Sequence, residues 1–278
     1  MDGRIHEVLG ICELWTGLRG DSVPVGYVFY RGAGTISVEF LTEAPKGLVL
    51  GEEGGIFPAI IGSLFFTGTA VVLGGIPALA SALYLVFYCQ NKKVERLLHL
   101  VIQCISGIPS IVLGLFAYSF LVRDLNLGRC ILSAGTALAI MILPFIEVRA
   151  EKAFREIPAC MIQSSYALGC SRFYTITRII LPACRGELVS GIILGGCYAM
   201  GATAPMIFTG AVAYAAVPES LLSPAMALPL HLYLLLAQGA TSMDTAYGTA
   251  FVMMAIILIS NMLATIYARR SQKKWKRS

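Results

Sequence analysis

Residues 163–205 read QSSYALGCSRFYTITRIILPACRGELVSGIILGGCYAMGATAP, a basic amphipathic segment that runs directly into an uncharged one. Arg172, Arg178 and Arg185 stand in the first half, and no charged residue follows Glu187 in the second. Between two apolar spans, this pattern predicts short helices on the membrane face, where a soluble partner can reach them. On the residues alone, an amphipathic helix that only rests on lipid headgroups is an equal alternative.

The composition places the chain in a membrane. Hydrophobic residues make up 57% of the 278 residues and charged residues 13%, with a mean hydropathy of +0.76. Soluble proteins carry about 25% charged residues, so this chain lacks the charged shell that a soluble core of its size requires. The net charge of +5 gathers in membrane-flanking loops and the tail, so we expect no nucleic-acid partner. Eight cysteines without a CxxC pair and three isolated histidines predict no disulfide framework, no metal site and no catalytic centre.

The apolar runs predict an all-α polytopic helix bundle. Five spans are expected, at 57–90, 97–122, 130–150, 188–213 and 245–268. Residues 1–31 form a poorer first span or an interfacial segment, because a charge at mid-membrane costs roughly 2.5–3.5 kcal/mol. Counting that segment gives six spans. Within the first long run, Gly74-Gly75-Ile76-Pro77 predicts a bend or break.

Basic residues predict the orientation. They cluster at 92–96, 149–185 and 269–277, and the five spans bring all three clusters to one side, which is then cytoplasmic. A crossing by 220–243 would put the tail outside, so we expect there a proline-interrupted external or re-entrant element. The predicted organisation is therefore a multi-pass protein of the cell (inner or plasma) membrane whose regions are an external loop at 32–56, a transmembrane domain at 57–268 with a cytoplasmic loop at 151–187, and a basic cytoplasmic tail at 269–278.

The cytoplasmic loop resembles a known docking motif. ALGCSRF at 167–173, followed by IILP at 179–182, resembles the EAA loop of ABC-importer permeases, although its glutamate-alanine-alanine opening reads Gln163-Ser164-Ser165. In that family the loop helix docks in a groove of a cytoplasmic ATPase. The resemblance implies that the ATPase-coupling residues are Ala167, Leu168, Gly169, Ser171 and Pro182.

Similarity extends over roughly residues 26–270. The stretches GIFPAIIG at 55–62, SGIPSIVLGLFAY at 106–118, ALPLHLY at 227–233 and NMLATIYARR at 261–270 resemble the Pst-type phosphate importer permeases, in particular their A subunits. This implies a type I permease fold, a heterodimer with a second permease subunit, two ATP-binding subunits and an external phosphate-binding protein. No GxxxxGK[ST] phosphate loop occurs here, so we expect no enzyme and no cofactor on this chain, with ATP and Mg bound by the partner ATPase.

Two helix breaks predict a substrate path. Pro109 removes a backbone donor inside an apolar run, and the polar groups that it frees must face protein or a water-filled cavity. An anion could then meet the N-terminal N–H groups of the following half-helix. The candidate residues at this break are Ser106, Gly107, Pro109 and Ser110. A structural kink whose serines bond back to the backbone is an equal alternative.

The second break, at 201–205, adds four candidates to the path, namely Tyr198, Gly201, Thr203 and Pro205. In the resembling family an arginine and a glutamate stand where this chain has Tyr198 and Ala202. Either the partner permease supplies those charges, or this chain has a different or weakened selectivity. The two positions are four apart, so we expect them on one helix face. Gly191 and Gly195 form a small-xxx-small pair typical of helix packing.

The leading expectation is a permease subunit that translocates phosphate by alternating access, driven by ATP on its partners. One alternative is a permease for another oxyanion, such as molybdate or sulfate. A second is a non-transporting regulatory paralogue, and a third is a self-contained secondary transporter. The last predicts ion-coupling carboxylates inside the spans, where only Glu147, near a span end, is found.

Overall fold

The computed structural model describes residues 26–47, 50–239 and 242–275, with residues 272–275 as backbone only. The prediction of a weak first span or an interfacial segment at residues 1–31 therefore lies outside the described residues, except for residues 26–31, which are helical. The chain divides into two compact units. The first holds the described residues up to Phe57 together with His231–Met254, and the second holds Pro58–Leu230 and the described residues from Ala255 onward.

Most of the described chain is helical. In order they are residues 26–33 (α1), Val38–Thr42 (α2), Phe57–Phe87 (α3), Lys92–Ser106 (α4), Ser110–Ala117 (α5), Ile131–Arg155 (α6), Ala159–Ala167 (α7), Arg172–Thr175 (α8), Leu181–Gly201 (α9), Ala204–Thr209 (α10), Leu228–Gln238 (α11) and Met243–Trp275 (α12). A π-helical segment, Tyr118–Asp124, extends α5, and another, Ile176–Ile180, joins α8 to α9. One small antiparallel hairpin pairs Pro45–Lys46 (β1) with Glu53–Gly54 (β2).

Four helical stretches are long and apolar enough to cross a membrane, which confirms the polytopic all-α class. They are Phe57–Phe87, Ile131–Arg155, Arg172–Gly201 and Met243–Ser271. The pair α4 and α5 meets at 95° and makes a fifth crossing if it counts as one broken span. The span predicted at 97–122 thus begins earlier, at Lys92, and is interrupted at Pro109, where the sequence predicts a break. Pro109 has no N–H to continue the helix, so α4 ends at Ser106 and α5 leaves in a new direction.

Two further boundaries differ from the prediction. A break at Gly74–Pro77 is wrong, because α3 is one helix of 31 residues with Pro77 inside it. Gly74 lies against α6, where an added Cβ would be 2.6 Å from the Ala139 oxygen, and this packing supports the helix through the proline. The span predicted at 188–213 is also wrong in its limits, since it begins at Arg172 and ends at Gly201. Its three arginines lie near the start, where long side chains can extend toward water.

The segment 220–243 does not cross the membrane as one helix. Residues 220–227 are irregular, and α11 has 11 residues, about 16 Å at 1.5 Å per residue. That length is short of the roughly 20 residues that a span requires. The prediction that no single span forms here is therefore confirmed, and the external or re-entrant position of the segment stays a prediction.

The first unit is held together by aromatic pairs and by bonds to a loop. Phe29 of α1 meets Phe251 of α12 edge to face, with ring centroids 4.8 Å apart. The hydroxyl of Ser242 donates to the Leu50 carbonyl at 3.0 Å, and Thr245 donates to the Gly51 carbonyl at 2.7 Å. The segment 32–56, predicted as an external loop, thus contains α2 and the hairpin, bonded to the start of α12.

The second unit is organised by α6, which packs along α9. Gly195 provides the close approach, because a Cβ there would lie 2.7 Å from Ile146 Cγ1. Gly191 also lies against α6, but an added Cβ there would make an ordinary contact of 3.5 Å with the Arg149 Cβ. Both glycines therefore face α6, and the close approach that requires glycine is at Gly195.

Candidate functional site

A cavity of about 740 Å³ opens at the break between α4 and α5. Five of the predicted path residues line it together, namely Ser106, Gly107, Pro109, Ser110 and Tyr198. The remaining lining residues are Ile102, Gln103, Ile105, Ile108, Leu113, Met141, Pro144, Phe145, Val148 and Arg149. The break, the middle of α6 and one residue of α9 therefore build a single site.

The two serines at the break are not equivalent. The Ser106 hydroxyl donates to the Gln103 carbonyl at 2.8 Å, so the back-bonding alternative holds for this residue. Its hydrogen is already engaged and does not point to a ligand. Ser110 begins α5 after Pro109, whose extended backbone offers no side-chain cap.

Arg149 is a lining residue that the sequence analysis did not place in the substrate path. Among the described residues that line the cavity it alone carries a charge. Its guanidinium carbon lies 4.8 Å from the centroid of the Phe145 ring, and that ring stacks on Tyr198 at 6.0 Å with an interplanar angle of 21°. The sequence analysis used Arg149 only as one of the basic residues that predict which side of the membrane is cytoplasmic. Its spacing of four from Phe145 on one helix was the available signal.

The second break is present but is separate from the cavity. The helix α9 ends at Gly201 and α10 begins at Ala204, yet Gly201, Thr203 and Pro205 do not line the cavity. Pro205 packs against α5 instead, where a Cβ on Gly114 would lie 2.9 Å from the Pro205 Cα. These three predicted path residues thus have a different environment from the five at the cavity.

Positions 198 and 202 lie at the end of α9. Tyr198 is helical, and Ala202 is the residue after the end of that helix, with φ −83° and ψ 115°. Its φ is close to the helical value and its ψ turns only the chain that follows, so the common face of the two positions stays a prediction. The extended ψ and the proline in the first turn of α10 change the direction of the chain after Ala202.

A buried carboxylate lies near the same end of α6. Glu147 has none of its surface exposed, and neither carboxylate oxygen has a hydrogen-bond partner among the described residues. It lines a smaller cavity of about 200 Å³ with His99 and Glu151. One turn on, Glu151 accepts from His99 at 3.2 Å and from Arg155 at 2.7 Å. This polar cluster joins α4 to the end of α6.

The predicted coupling segment is a helix–turn–helix. The helix α7 closes with two bonds, from the Gly169 N–H to the Tyr166 carbonyl and from the Cys170 N–H to the Ser165 carbonyl. Gly169 has φ +80°, the left-handed conformation that this type of C-cap uses. The turn is fixed underneath by a buried 2.8 Å bond between the hydroxyls of Ser165 and Thr175.

The outer side of this turn is apolar and exposed. Leu168 is 83% exposed and Phe173 72%, an arrangement that suits burial against a partner. Ser171 caps α8 through its hydroxyl, which accepts from the Tyr174 N–H at 3.2 Å. Four predicted coupling residues, Ala167, Leu168, Gly169 and Ser171, therefore belong to one turn.

Pro182, the fifth residue that the resemblance assigns to coupling, is the second residue of α9. It lies within the continuous helical stretch Arg172–Gly201, where the π-helical turn Ile176–Ile180 precedes it. The wider π-helical turn is a local adjustment that accommodates a missing backbone donor. Pro182 is thus part of the span and is not part of the exposed turn.

A family model for the binding-protein-dependent transport system inner membrane component matches residues 86–277, more than half of the chain. The chain belongs to this family. It is a permease component of an ABC transporter and a multi-pass inner-membrane protein.

Named relatives and solved structures agree with the family. The chain is 32% identical over 208 residues to a probable phosphate transport system permease protein PstA of Methanocaldococcus jannaschii, covering 74% of this chain and 73% of that protein. It is 28% identical over 221 residues to PstA 1 of Mycobacterium tuberculosis, covering 78% of this chain and 71% of the relative. An inward-facing structure of the MetNI methionine ABC transporter superposes with a TM-score of 0.61 at 18% identity, over 77% of this chain and 94% of that one. The type I permease fold is thereby confirmed.

Proposed function

We propose that this permease translocates inorganic phosphate by alternating access. The observation that carries the proposal is the similarity to PstA permeases, which reaches 32% identity over 73% of one relative's length. The cavity at the α4–α5 break agrees with an anionic substrate. Its described lining combines one guanidinium with neutral hydrogen-bond donors and contains no carboxylate.

The proposed partners are a second permease subunit, two ATP-binding subunits and an external phosphate-binding protein. The exposed turn formed by Ala167, Leu168, Gly169 and Ser171 is the proposed contact for an ATPase, which hydrolyses ATP with Mg. Its exposed leucine supplies apolar surface, and the buried Ser165–Thr175 bond supports the turn from below. A rigid turn can transmit a push to α6, which precedes α7, and to α9, which follows α8.

The basic ends of the helices support a cytoplasmic location for this turn and for the C-terminus. Arg155 at the end of α6 bonds Glu95 at the start of α4 at 3.0 Å. Arg185 near the start of α9 bonds Ser271 near the end of α12 at 3.2 Å. These contacts gather the basic clusters at one end of the second unit, the arrangement expected of a cytoplasmic face.

Accessibility labelling tests this orientation. In a chain whose native cysteines have been replaced, an impermeant thiol reagent added outside is expected to label Asp124→Cys and Glu52→Cys. Lys274→Cys should react only after the membrane is permeabilised. External labelling of Lys274→Cys would reverse the proposed topology and remove the ATPase contact with it.

Reconstitution tests the substrate. The complete importer in proteoliposomes, with its binding protein outside and ATP inside, should accumulate radiolabelled phosphate, and uptake should stop when ATP is replaced by a non-hydrolysable analogue. Uptake of sulfate or molybdate in place of phosphate would favour the alternative oxyanions. An assembled complex that hydrolyses ATP but moves none of the three would favour the regulatory paralogue. A self-contained secondary transporter is not supported, because the family consists of components of binding-protein-dependent systems.

A further inference from the structure

The rule that basic residues gather on the cytoplasmic side does not explain the position of the Arg149 side chain. It lies on the same helix as Lys152 and Arg155, yet of these three only Arg149 lines the cavity at the α4–α5 break. It also lines a second cavity, of about 480 Å³, together with Lys152, Ala153, Glu156 and Glu187. The guanidinium therefore stands between a cavity without carboxylates and one that contains two.

Packing holds the Arg149 side chain from two directions. Gly191 lies beside the aliphatic stem, and an added Cβ there would be in van der Waals contact with it, 3.5 Å from Arg149 Cβ and 3.8 Å from its Cδ. The Phe145 ring lies 4.8 Å from the guanidinium carbon, and the Tyr198 ring stacks on Phe145 in turn. An aromatic pair anchored on two helices thus positions the cation.

The contact with Phe145 leaves hydrogen-bond donors for a ligand. The aromatic ring has no acceptor oxygen, and the five N–H donors of the guanidinium point outward in its plane. Those donors match the oxygen spacing of a tetrahedral oxyanion in a two-bond contact, which a point charge such as lysine cannot reproduce. The other described lining groups are apolar or neutral, so a bound anion meets no carboxylate in the cavity lining.

From this geometry we infer that Arg149 binds the translocated oxyanion and contributes to its selection. The inference rests on the proposed function for the class of substrate, and it assigns the positive charge of the path to α6. Phe145 and Tyr198 are positioning residues that set the plane of the guanidinium. The tyrosine at position 198 therefore contributes to the path through stacking and not through a charge of its own.

Chemical protection tests the contact directly. The assembled importer without its binding protein is treated with phenylglyoxal, which modifies arginine, and the adduct at Arg149 is quantified by mass spectrometry with and without inorganic phosphate. Phosphate should slow modification of Arg149 and leave the exposed Arg123 unaffected. Chloride at equal ionic strength is the control for screening. Equal protection of both arginines, or of neither, would overturn the inference.

Transport by variants provides the second measurement. Arg149→Gln should lower phosphate uptake by at least about tenfold, because the variant loses the charge-assisted hydrogen bonds to the anion. Arg149→Lys should fall between this variant and the parent, since it keeps the charge and loses the two-bond geometry. Arg96→Gln is the matched control, an exposed arginine at the start of α4 outside the cavity lining, and should transport normally.

The outcomes separate this inference from the proposed function. Normal phosphate uptake by Arg149→Gln would overturn the role of Arg149 and leave a phosphate permease. If the parent complex moves sulfate or molybdate and not phosphate, and that anion protects Arg149, then the substrate is wrong and the role of Arg149 stands. If Arg149→Gln fails to assemble with its partners, the protection measurement on the parent complex decides.

Discussion

Gly169→Val is expected to leave the chain in the membrane and to separate ATP hydrolysis from transport. A residue with a side chain at φ +80° has a conformational strain of about 1–2 kcal/mol, and the strain is largest for a β-branched residue. Relief of that strain requires opening the two cap bonds that shape the turn after α7, which displaces the exposed Leu168. An energy of this size corresponds to a factor of roughly 5–30 in the population of the correct turn. The number of phosphate ions moved per ATP should fall by about that factor.

Two matched variants show whether the effect belongs to the coupling turn. Gly128→Val carries a similar penalty, since Gly128 has φ +72° and open space around its Cβ, but it precedes α6 at the other end of that helix. It should keep normal coupling. Gly169→Asn should restore much of the activity, because asparagine tolerates the left-handed conformation. The measurement is phosphate uptake and ATP hydrolysis in the same proteoliposomes. Normal stoichiometry in Gly169→Val would favour a turn that merely rests on lipid headgroups.

Gly62→Leu is expected to prevent the protein from folding into a stable complex. A Cβ at Gly62 of α3 would collide with the Met226 carbonyl and lie 3.2 Å from the Ala225 Cβ. The neighbouring Ser63 hydroxyl accepts from the Leu228 N–H at 2.8 Å, so this contact also fixes the entry to α11. Because the obstacle is backbone, a rotamer change cannot relieve it. We expect a loss of about 3 kcal/mol or more.

Gly68→Leu is the control for this prediction. It lies on the same helix, is exposed, and has no atom within 4 Å of an added Cβ. Both substitutions gain the same helix propensity over glycine, so their difference reports the contact alone. Thermal unfolding in detergent, followed by size-exclusion chromatography, measures it. A melting temperature for Gly62→Leu equal to that of Gly68→Leu would show that α3 does not hold the 225–228 segment.

Features that depend only on residues adjacent in the chain could be predicted from the sequence. The membrane class follows from the lengths of the apolar runs. The break at Pro109 follows from a missing N–H, and the turn at Gly169 from a backbone conformation that only glycine adopts freely. Each is a property of a few adjacent residues. The resemblance over residues 26–270 added the family, which the match over 86–277 confirmed.

Tertiary structure alone decided which residues share a site. Ser110 and Tyr198 are distant in the chain, and they line one cavity because α4 and α5 meet at 95° beside α6. The same packing turned Arg149 from an orientation marker into the charged member of that cavity and placed Pro205 against Gly114 of α5. Hydropathy and proline positions set where helices begin and end, whereas the glycine contacts between helices set which faces meet. A single sequence records the ends of the helices directly, whereas the pairing of their faces arises only when the helices pack.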